Sequence, residues 1–483
     1  MFEPAIHARV SCRTIVREVE NTERRDDSAM RDEREAMHAH LRIMTGLHAG
    51  AAFVATRDGL VVGRVGSDSQ PDVATVALLD DRWISRRHAR LHAQRGVWQI
   101  LDLGGRNRAF VEGAPLATHA ELTLADGALL RFGDTLIVFR VGLVQSDGIC
   151  ELDAFPGAAP SANVVRERLH QLARTTGHVL VLGETGTGKE RVARALAAPQ
   201  RPFVPQNCAE LTRDFARSEL FGHVRGAFSG AVAAKPGLVE LAERGVLFLD
   251  EIGELALDVQ AELLRFLEDG CYRPIGATDL RRSSVRVVAA TNVDLDAAVR
   301  AGQFRRDLLS RLRASNPQLE LPPLRARRED LPTWAQRFVA EASADAGPHR
   351  PLSFSPGAME CVLLYPWPGN LRELRGVVRG LVAAAPVDRT LAIQPEQLPT
   401  ALRDHRRTLR SAAAPAVDAK LAVPLALTHD TVQAALALSG GSVRAAANKL
   451  GIDRRRLYRL CEKLGISLDR HRGNPEKEED GDG

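Results

Sequence analysis

The sequence predicts a multidomain chain in which three fold types follow one another: an all-β sandwich, an α/β domain that continues into a helix-rich stretch, and a small all-α domain. Three observations carry this. Residues 41–141 are short apolar or alternating runs (LRIM, LVVGRV, VATVALL, VWQILDL, AFVEG, LIVFR) separated by Gly and Asp turns, the texture of a sandwich. His178–Leu196 reads as a buried strand, a glycine-rich loop and a helix start. Residues 428–468 hold three short helices around a tight Gly-Ile-Asp turn.

The composition fits this partition. A length of 483 residues, 45% of them hydrophobic and 26% charged, suits folded domains with real cores. The net charge of +4 is too small to mark a nucleic-acid binder by itself. Cys12, Cys150, Cys208, Cys271, Cys361 and Cys461 show no pair at metal-ligand spacing and read as reduced packing residues of a cytoplasmic protein. Without a signal peptide or long apolar span, no membrane passage is expected.

In order along the chain, residues 1–40 mix charges densely (ERRDD, RDERE) and read as a disordered extension. Within 41–141 the residues Gly63-Arg64, Ser85-Arg86-Arg87-His88, Asp102–Asn107, Val111-Glu112-Gly113 and Leu124–Gly127 stand in a telling order. They resemble a forkhead-associated (FHA) domain over essentially the whole segment. That resemblance implies a phosphothreonine-containing protein partner, with Arg64 pairing with the phosphate, Ser85 hydrogen-bonding it and Asn107 fixing the peptide backbone. A guanidinium and a hydroxyl are the groups a dianionic phosphate needs. His88 reads instead as an internal brace of the loop. The usual Ser-Thr-Asn-Gly-Thr ending is Gly105-Arg106-Asn107-Arg108-Ala109 here, which leaves open a degenerate scaffold that docks unphosphorylated partners, the chain's own second domain among them.

After a linker at 142–154 and a helical stretch at 163–175, Val179–Leu182 forms a short apolar run. Gly183-Glu184-Thr185-Gly186-Thr187-Gly188-Lys189-Glu190 follows. The glycines permit positive φ and inward-turned N–H groups that can hold a polyphosphate, while Lys189 reaches the outer phosphates. Glu190 replaces the hydroxyl residue that usually contacts magnesium, so Mg2+ is expected to rest on a downstream carboxylate; a decayed nucleotide site is the alternative. Further strand-like runs at Phe203–Asn207, Val246–Asp250 and Val285–Asn292 alternate with helices, which argues a parallel sheet. At the end of the second stand Asp250, expected to hold the metal, and Glu251, expected to be the catalytic base.

Between these lies Glu219–Ala231, with glycines at 222, 226 and 230 flanking Phe228, a pattern for a protruding loop with an aromatic tip. Gly226-Ala227-Phe228-Ser229-Gly230-Ala231 closely resembles the sigma-54 contact loop of bacterial enhancer-binding proteins, which are AAA+ ATPases. The resemblance runs from about Phe155 to Pro399. It implies that Asn207 is the switch residue restraining the catalytic glutamate, that Asn292 is the first sensor, that Arg305 and Arg311 are arginine fingers, and that Arg372 senses the γ-phosphate. It also implies ATP as the nucleotide, residues 155–323 as the α/β part, residues 324–391 as a helical lid, and a homo-oligomer, a hexameric ring.

Residues 392–427 are rich in Pro and Ala, carry a basic patch at 403–410, and read as a second linker. In 428–468, GGSVRAAANKLGIDRRRLYRLCEKLGI resembles a Fis-type helix-turn-helix DNA-binding domain. Leu457, Leu460 and Cys461 are expected to face its core, and Arg454, Arg455, Arg456, Arg459 and Lys463 to meet double-stranded DNA at an upstream enhancer site. Residues 469–483 read as a disordered acidic tail.

Together these features predict a cytoplasmic sigma-54-dependent transcriptional activator that remodels sigma-54 RNA polymerase by ATP hydrolysis under phosphothreonine control. The alternatives are a DNA-binding regulator independent of sigma-54 and a phosphopeptide-binding adaptor with a vestigial ATPase.

Overall fold

The computed structural model describes residues 38–46, 49–55, 59–64, 76–94, 96–142, 154–198, 200–315, 318–346, 352–385 and 391–419, together with the helical positions Gln433, Leu457 and Cys461. Two units result, residues 1–410 and 411–483.

Among the described residues, eleven strands build the β-sandwich. One sheet has the order β2 (Ala52–Ala55), β1 (Ala39–Ile43), β11 (Thr135–Val141), β10 (Leu129–Phe132), β7 (Ala109–Val111), β8 (Ala114–Pro115). The other runs β4 (Val76–Leu79), β3 (Leu60–Arg64), β5 (Ala89–Gln94), β6 (Val97–Asp102), β9 (Glu121–Thr123). The interior holds Trp98, whose ring meets Phe139 edge-on at 5.9 Å. Alternation along β10 and β11 sends Leu130, Phe132, Ile137 and Phe139 into this interior. Leu129, Leu136 and Val138 point the other way, yet they are equally buried, in a cluster with Trp334, Leu363 and Trp367. The near-continuous apolar run of these two strands reflects a sheet covered on both faces.

The nucleotide-binding unit is a five-stranded parallel sheet of order β13 (Phe203–Asn207), β14 (Val246–Asp250), β17 (Arg286–Thr291), β12 (Val179–Leu182), β18 (Leu319–Glu320). A small hairpin, β15 (Cys271–Tyr272) with β16 (Arg281–Arg282), lies outside it. Helices cover both faces. Val179, Val181, Phe248 and Val288 meet α1 (Pro160–Ala173) and α2 (Lys189–Ala195). Their neighbours Leu180, Leu247, Leu249 and Val287 meet residues of α3 (Arg213–Phe221), α4 (Leu238–Leu241), α5 (Leu257–Asp269), α6 (Leu295–Arg300) and α7 (Arg306–Ser315). The three central strands β14, β17 and β12 thus bury both of their faces, and their polar functional residues are confined to their ends.

The lid consists of α8 (Leu331–Ala346), α9 (Pro356–Leu364) and α10 (Asn370–Ala384), with β19 (Leu352–Phe354) paired to β20 (Leu391–Ile393). Pro356 opens α9, and Ser355 Oγ accepts from the Ala358 amide. One expectation fails: much of the segment read as a linker is α11 (Thr400–Ala419). Leu402 enters the lid core, and Arg406 and Arg410 both reach the buried Glu360 carboxylate. The basic patch is therefore a helix face fastened to the lid, and its arginine count concealed that. The helix read at 163–175 also begins earlier, with Pro160 in its first turn.

Candidate functional site

The loop between β12 and α2 takes its shape from glycine. Gly186 and Gly188 have φ of +80° and +109°, and a Cβ on Gly186 would lie 2.4 Å from the Gly369 carbonyl oxygen. Lys189 is 5% exposed; its ammonium donates to Gly183 O at 3.0 Å and lies 3.7 Å from Glu251. Thr187 Oγ1 donates to Glu184 O, and Asn292 Nδ2 donates to Thr185 Oγ1 at 2.9 Å.

Parallel pairing of β12 with β17 and of β17 with β14 brings the strand ends together. A cleft of about 440 Å3 results, with Thr185, Lys189, Asn207, Asp250, Glu251 and Arg372 on its walls. Burial raises the Asp250 carboxyl pKa, Lys189 opposes the rise and the Glu251 charge adds to it. Glu251 has a left-handed backbone, φ +51°, and its Oε2 accepts from the Asn292 amide at 3.4 Å. Asn207 lies in the same cleft with its Oδ1 turned to the Ala209 amide, 3.1 Å away. Glu190 lies on the rim of the same cleft and pairs with Arg194, both more than half exposed. Among the described residues no group of three or more His, Cys, Asp or Glu side chains is placed to hold a metal ion. Asp250 and Glu251 nevertheless suit magnesium, which takes one or two carboxylates and completes its shell with phosphate oxygens and water.

Several residues that the sequence did not single out complete the loop's grip. Asn370 donates from Nδ2 to Glu184 Oε2 and to Thr185 O, both at 3.1 Å, while its Oδ1 accepts from the Leu324 amide. Arg325 clamps the Glu184 carboxylate at 2.6 and 2.9 Å and holds its pKa below the usual range. Arg327, fully buried, donates to Thr187 O at 3.0 Å. The run LRARRED at 324–330 was legible only as charge, because its partners are more than 130 residues away in sequence.

Arg305 and Arg311 lie outside this cleft. Arg305 pairs with Asp307 at 2.8 Å and its side chain is 40% exposed. Arg311 donates twice to Leu267 O inside its own subunit. The loop at 222–235 is closed at its base by a bridge between His223 and Lys235, and narrowed by Gly226 N donating to Ala231 O at 2.8 Å. Phe228 is 38% exposed and rests edge-on against His223, 5.0 Å between ring centres. Gly226 and Gly230 have φ of +81° and +107° with open space around them, so backbone conformation explains these glycines. Ser229 and the rest of the turn stand at the loop tip.

At one end of the sandwich the three predicted peptide-contacting residues come together. The Arg64 amide donates to Ser85 O, Ser85 Oγ accepts from the Arg106 amide at 3.0 Å, and Asn107 Nδ2 donates to Trp83 O at 2.8 Å. His88 is the expected brace, buried, with Nδ1 accepting from the Ser85 amide. Leu457 and Cys461 are helical and buried as expected. Leu460 and the proposed DNA-contacting Arg454, Arg455, Arg456, Arg459 and Lys463 lie outside the described residues, as do Cys12, Cys150 and most of residues 1–40, 142–154 and 420–483.

The chain matches the sigma-54 interaction domain family over residues 155–316 and the AAA+ ATPase lid domain over 325–415. Residues 42–141 match a family described as the cytoplasmic domain of an inner membrane component of the T3SS. The alginate biosynthesis transcriptional regulatory protein AlgB of Pseudomonas aeruginosa is 41% identical over 323 residues, 65% of this chain and 68% of AlgB. A crystal structure of NtrX from Brucella abortus in complex with ATP is 29% identical, covering 64% of this chain and 69% of NtrX with a TM-score of 0.45. A structure from a study of phosphothreonine-dependent FHA domain interactions covers 22% of this chain and 98% of its own, at 26% identity and a TM-score of 0.18. Among the described residues no helix is long and apolar enough to cross a membrane.

Proposed function

We propose that this chain, which belongs to the sigma-54-dependent transcriptional activator family of AAA+ ATPases, uses ATP hydrolysis in an oligomeric ring to open a sigma-54 RNA polymerase promoter complex in the cytoplasm. The observation that carries this reading is the arrangement of Lys189, Asp250, Glu251 and Arg372 around one cleft, with the loop bearing Phe228 one helix beyond Asn207.

The amides of residues 183–189 hold the polyphosphate, Lys189 neutralises its outer charges, and Glu251 orients the attacking water and takes its proton. As oxygen bonds to the γ-phosphorus, the bond to the bridging oxygen breaks and ADP departs. Asp250 would hold magnesium, which, when bound, neutralises charge that develops on the phosphates. Asn292 and Arg372 contact the γ-phosphate, and Arg305 and Arg311 reach it from the neighbouring subunit. Asn207 ends β13, and a 3-10 turn over Cys208–Glu210 followed by α3 leads from there to the contact loop, so movement of Asn207 at hydrolysis is carried to Phe228. A Fis-type domain at 428–468 anchors the ring on upstream DNA, and the FHA face at Arg64, Ser85 and Asn107 reads a phosphothreonine that governs assembly.

The deciding experiment combines purified chain, sigma-54 polymerase and a promoter fragment, and scores open-complex formation with ATP, with a non-hydrolysable analogue, and with no nucleotide. Opening only with ATP is expected; vigorous ATP turnover that never opens the promoter would refute the assignment.

A further inference from the structure

Segment 324–330 is irregular, two short 3-10 turns over Leu324–Ala326 and Arg328–Asp330, so its conformation is set largely by what grips it. It is gripped from two sides. Toward the nucleotide, Arg325 holds Glu184 and Arg327 holds Thr187 O. Toward the β-sandwich, Glu329 accepts from Nε and Nη2 of Arg140 at 2.5 and 2.8 Å, and the same Nη2 also donates to Ala326 O at 3.1 Å. Arg328 spans the Glu112 carboxylate at 2.5 and 3.0 Å and reaches Gly127 O. Asp330 closes the segment by accepting from the Ala159 amide at the start of α1.

The two grips are chemically strong. Bidentate guanidinium–carboxylate pairs fix orientation as well as distance. The Glu329 side chain is 1% exposed and that of Arg140 is 12%, so solvent screens this pair little. Burial disfavours charge on Arg140, but Glu329 and Asp126 outweigh it and keep the guanidinium ionised. Glu112 is fixed in turn, because its Oε1 accepts from the Leu129 amide. The surrounding surfaces leave no slack: a Cβ on Gly113 would lie 2.8 Å from Leu364 of the lid, and Met44, Leu129, Leu136 and Val138 are buried against lid residues.

We propose that Arg140 and Glu112, residues of the β-sandwich, are positioning residues of the ATPase: they hold segment 324–330 from outside and so set where Arg325 and Arg327 place the phosphate loop. Neither touches nucleotide. Their effect passes through a seven-residue segment in which Arg325 and Arg327 face the phosphate loop and Arg328 and Glu329 face the sandwich. The sandwich is then a structural component of the nucleotide site as well as a ligand-reading domain. The proposal rests on the ATP site described above.

The test uses the full chain and reads KM for ATP, kcat and the Kd of a non-hydrolysable ATP analogue. Glu112→Gln and Arg140→Gln are each expected to raise KM and Kd about three- to tenfold with kcat within about twofold. Because Arg140→Gln strands Glu329 in a buried position, the exchange Arg140→Glu with Glu329→Arg is made as well, together with Asp126→Asn so that the relocated carboxylate meets no second one, and it should return KM to within about twofold of the parent. Unchanged KM in single variants that still melt cooperatively overturns the proposal, and so does a raised KM that the exchange fails to reverse. A parent chain that binds no ATP overturns the nucleotide-site reading itself, an outcome recognisable before any variant is measured.

Discussion

Lys189 and Glu251 stand 3.7 Å apart, and the same ammonium donates to the Gly183 carbonyl at 3.0 Å. The lysine is thus held by groups that a polyphosphate must outcompete, and the glutamate gains freedom when the lysine moves. The two should fail differently. Lys189→Ala should weaken nucleotide binding at least about tenfold, the loss of a charge-assisted contact. Glu251→Gln should retain binding and lower kcat by about 100- to 10,000-fold, the range for removal of a general base. Fluorescent-nucleotide binding beside steady-state turnover separates the two; equal loss of binding in both would contradict the roles given.

Arg305 is presented to solvent beside Asp307, whereas Arg311 is bound to Leu267 O in its own subunit. Arginine fingers are worth about 1,000- to 100,000-fold, so Arg305→Ala should nearly abolish turnover while leaving binding and melting unchanged. Arg311→Ala should also lose turnover and in addition melt lower, since it gives up two internal hydrogen bonds. If the fingers act between subunits, an equimolar mixture of Arg305→Ala and Glu251→Gln chains should regain activity at interfaces that join one intact half of each. A mixture as inactive as its parts would place the arginines within one subunit.

The contact loop offers Phe228 half-open, resting against His223. Removal of the ring costs the fold little, because more than a third of its surface is already exposed, so Phe228→Ala should keep ATP turnover within about twofold and lose open-complex formation. Parallel loss of both activities would show that the ring supports the ATPase core instead.

Much of this was legible in the sequence because the phosphate loop, the Asp250-Glu251 pair and the glycines of the contact loop are local patterns whose geometry follows from a few adjacent residues. The strands Phe203–Asn207 and Val246–Asp250 were legible for the same reason. What escaped was non-local. Asn370 sits inside a motif that drew attention to Arg372, yet Asn370 ties the lid to Glu184. Nothing local marks Arg325 and Arg327, which gain their partners only when folding brings the phosphate loop to them. The apolar run Leu136–Phe139 reads as one strand of a sandwich, yet its continuous rather than alternating hydrophobicity reflects a second covered face. The helix at 400–419 hid behind Pro and Ala, residues that say little without the lid core that Leu402 enters.

His178 gives a pH signature. Burial, then the charges of Arg311 and Arg286, lower its pKa to about 4, while Nδ1 accepts from the Val287 amide. The folded chain keeps the ring neutral, whereas the unfolded chain protonates it below about 6.5. Stability from this group is therefore complete above pH 6.5 and lost as pH falls toward 4, at up to about 1.4 kcal/mol per unit. Asp330, buried and raised to about 6, acts oppositely over part of the same range, since its folded carboxyl takes up a proton first. The informative quantity is thus the difference between the parent and His178→Gln in urea midpoints from pH 7 to 4.5. That difference should shrink as pH falls; a constant gap would show that the ring titrates normally.

The FHA face supplies the last expectation. Gly63 lets Arg64 approach the neighbouring loop so closely that a Cβ there would lie 2.0 Å from Arg86 O, and the Arg64 amide is pinned to Ser85 O. The backbones of Arg64 and Ser85 are thereby held side by side, with the Arg64 guanidinium 3.5 Å from Arg82 O and Ser85 Oγ on the Arg106 amide, and a phosphate would draw on one charged and one hydroxyl contact there. Arg64→Ala should weaken a phosphothreonine peptide about 10- to 100-fold, the loss of a charge-assisted hydrogen bond, and Ser85→Ala by less, since a hydroxyl contributes about 1 kcal/mol. The unphosphorylated peptide serves as the control, read by titration calorimetry. Indifference to both the phosphate and the Arg64 substitution would mean that the altered ending at Arg108 and Ala109 has converted the domain into a scaffold, whose role is then the grip of Arg140 and Glu112 on the lid.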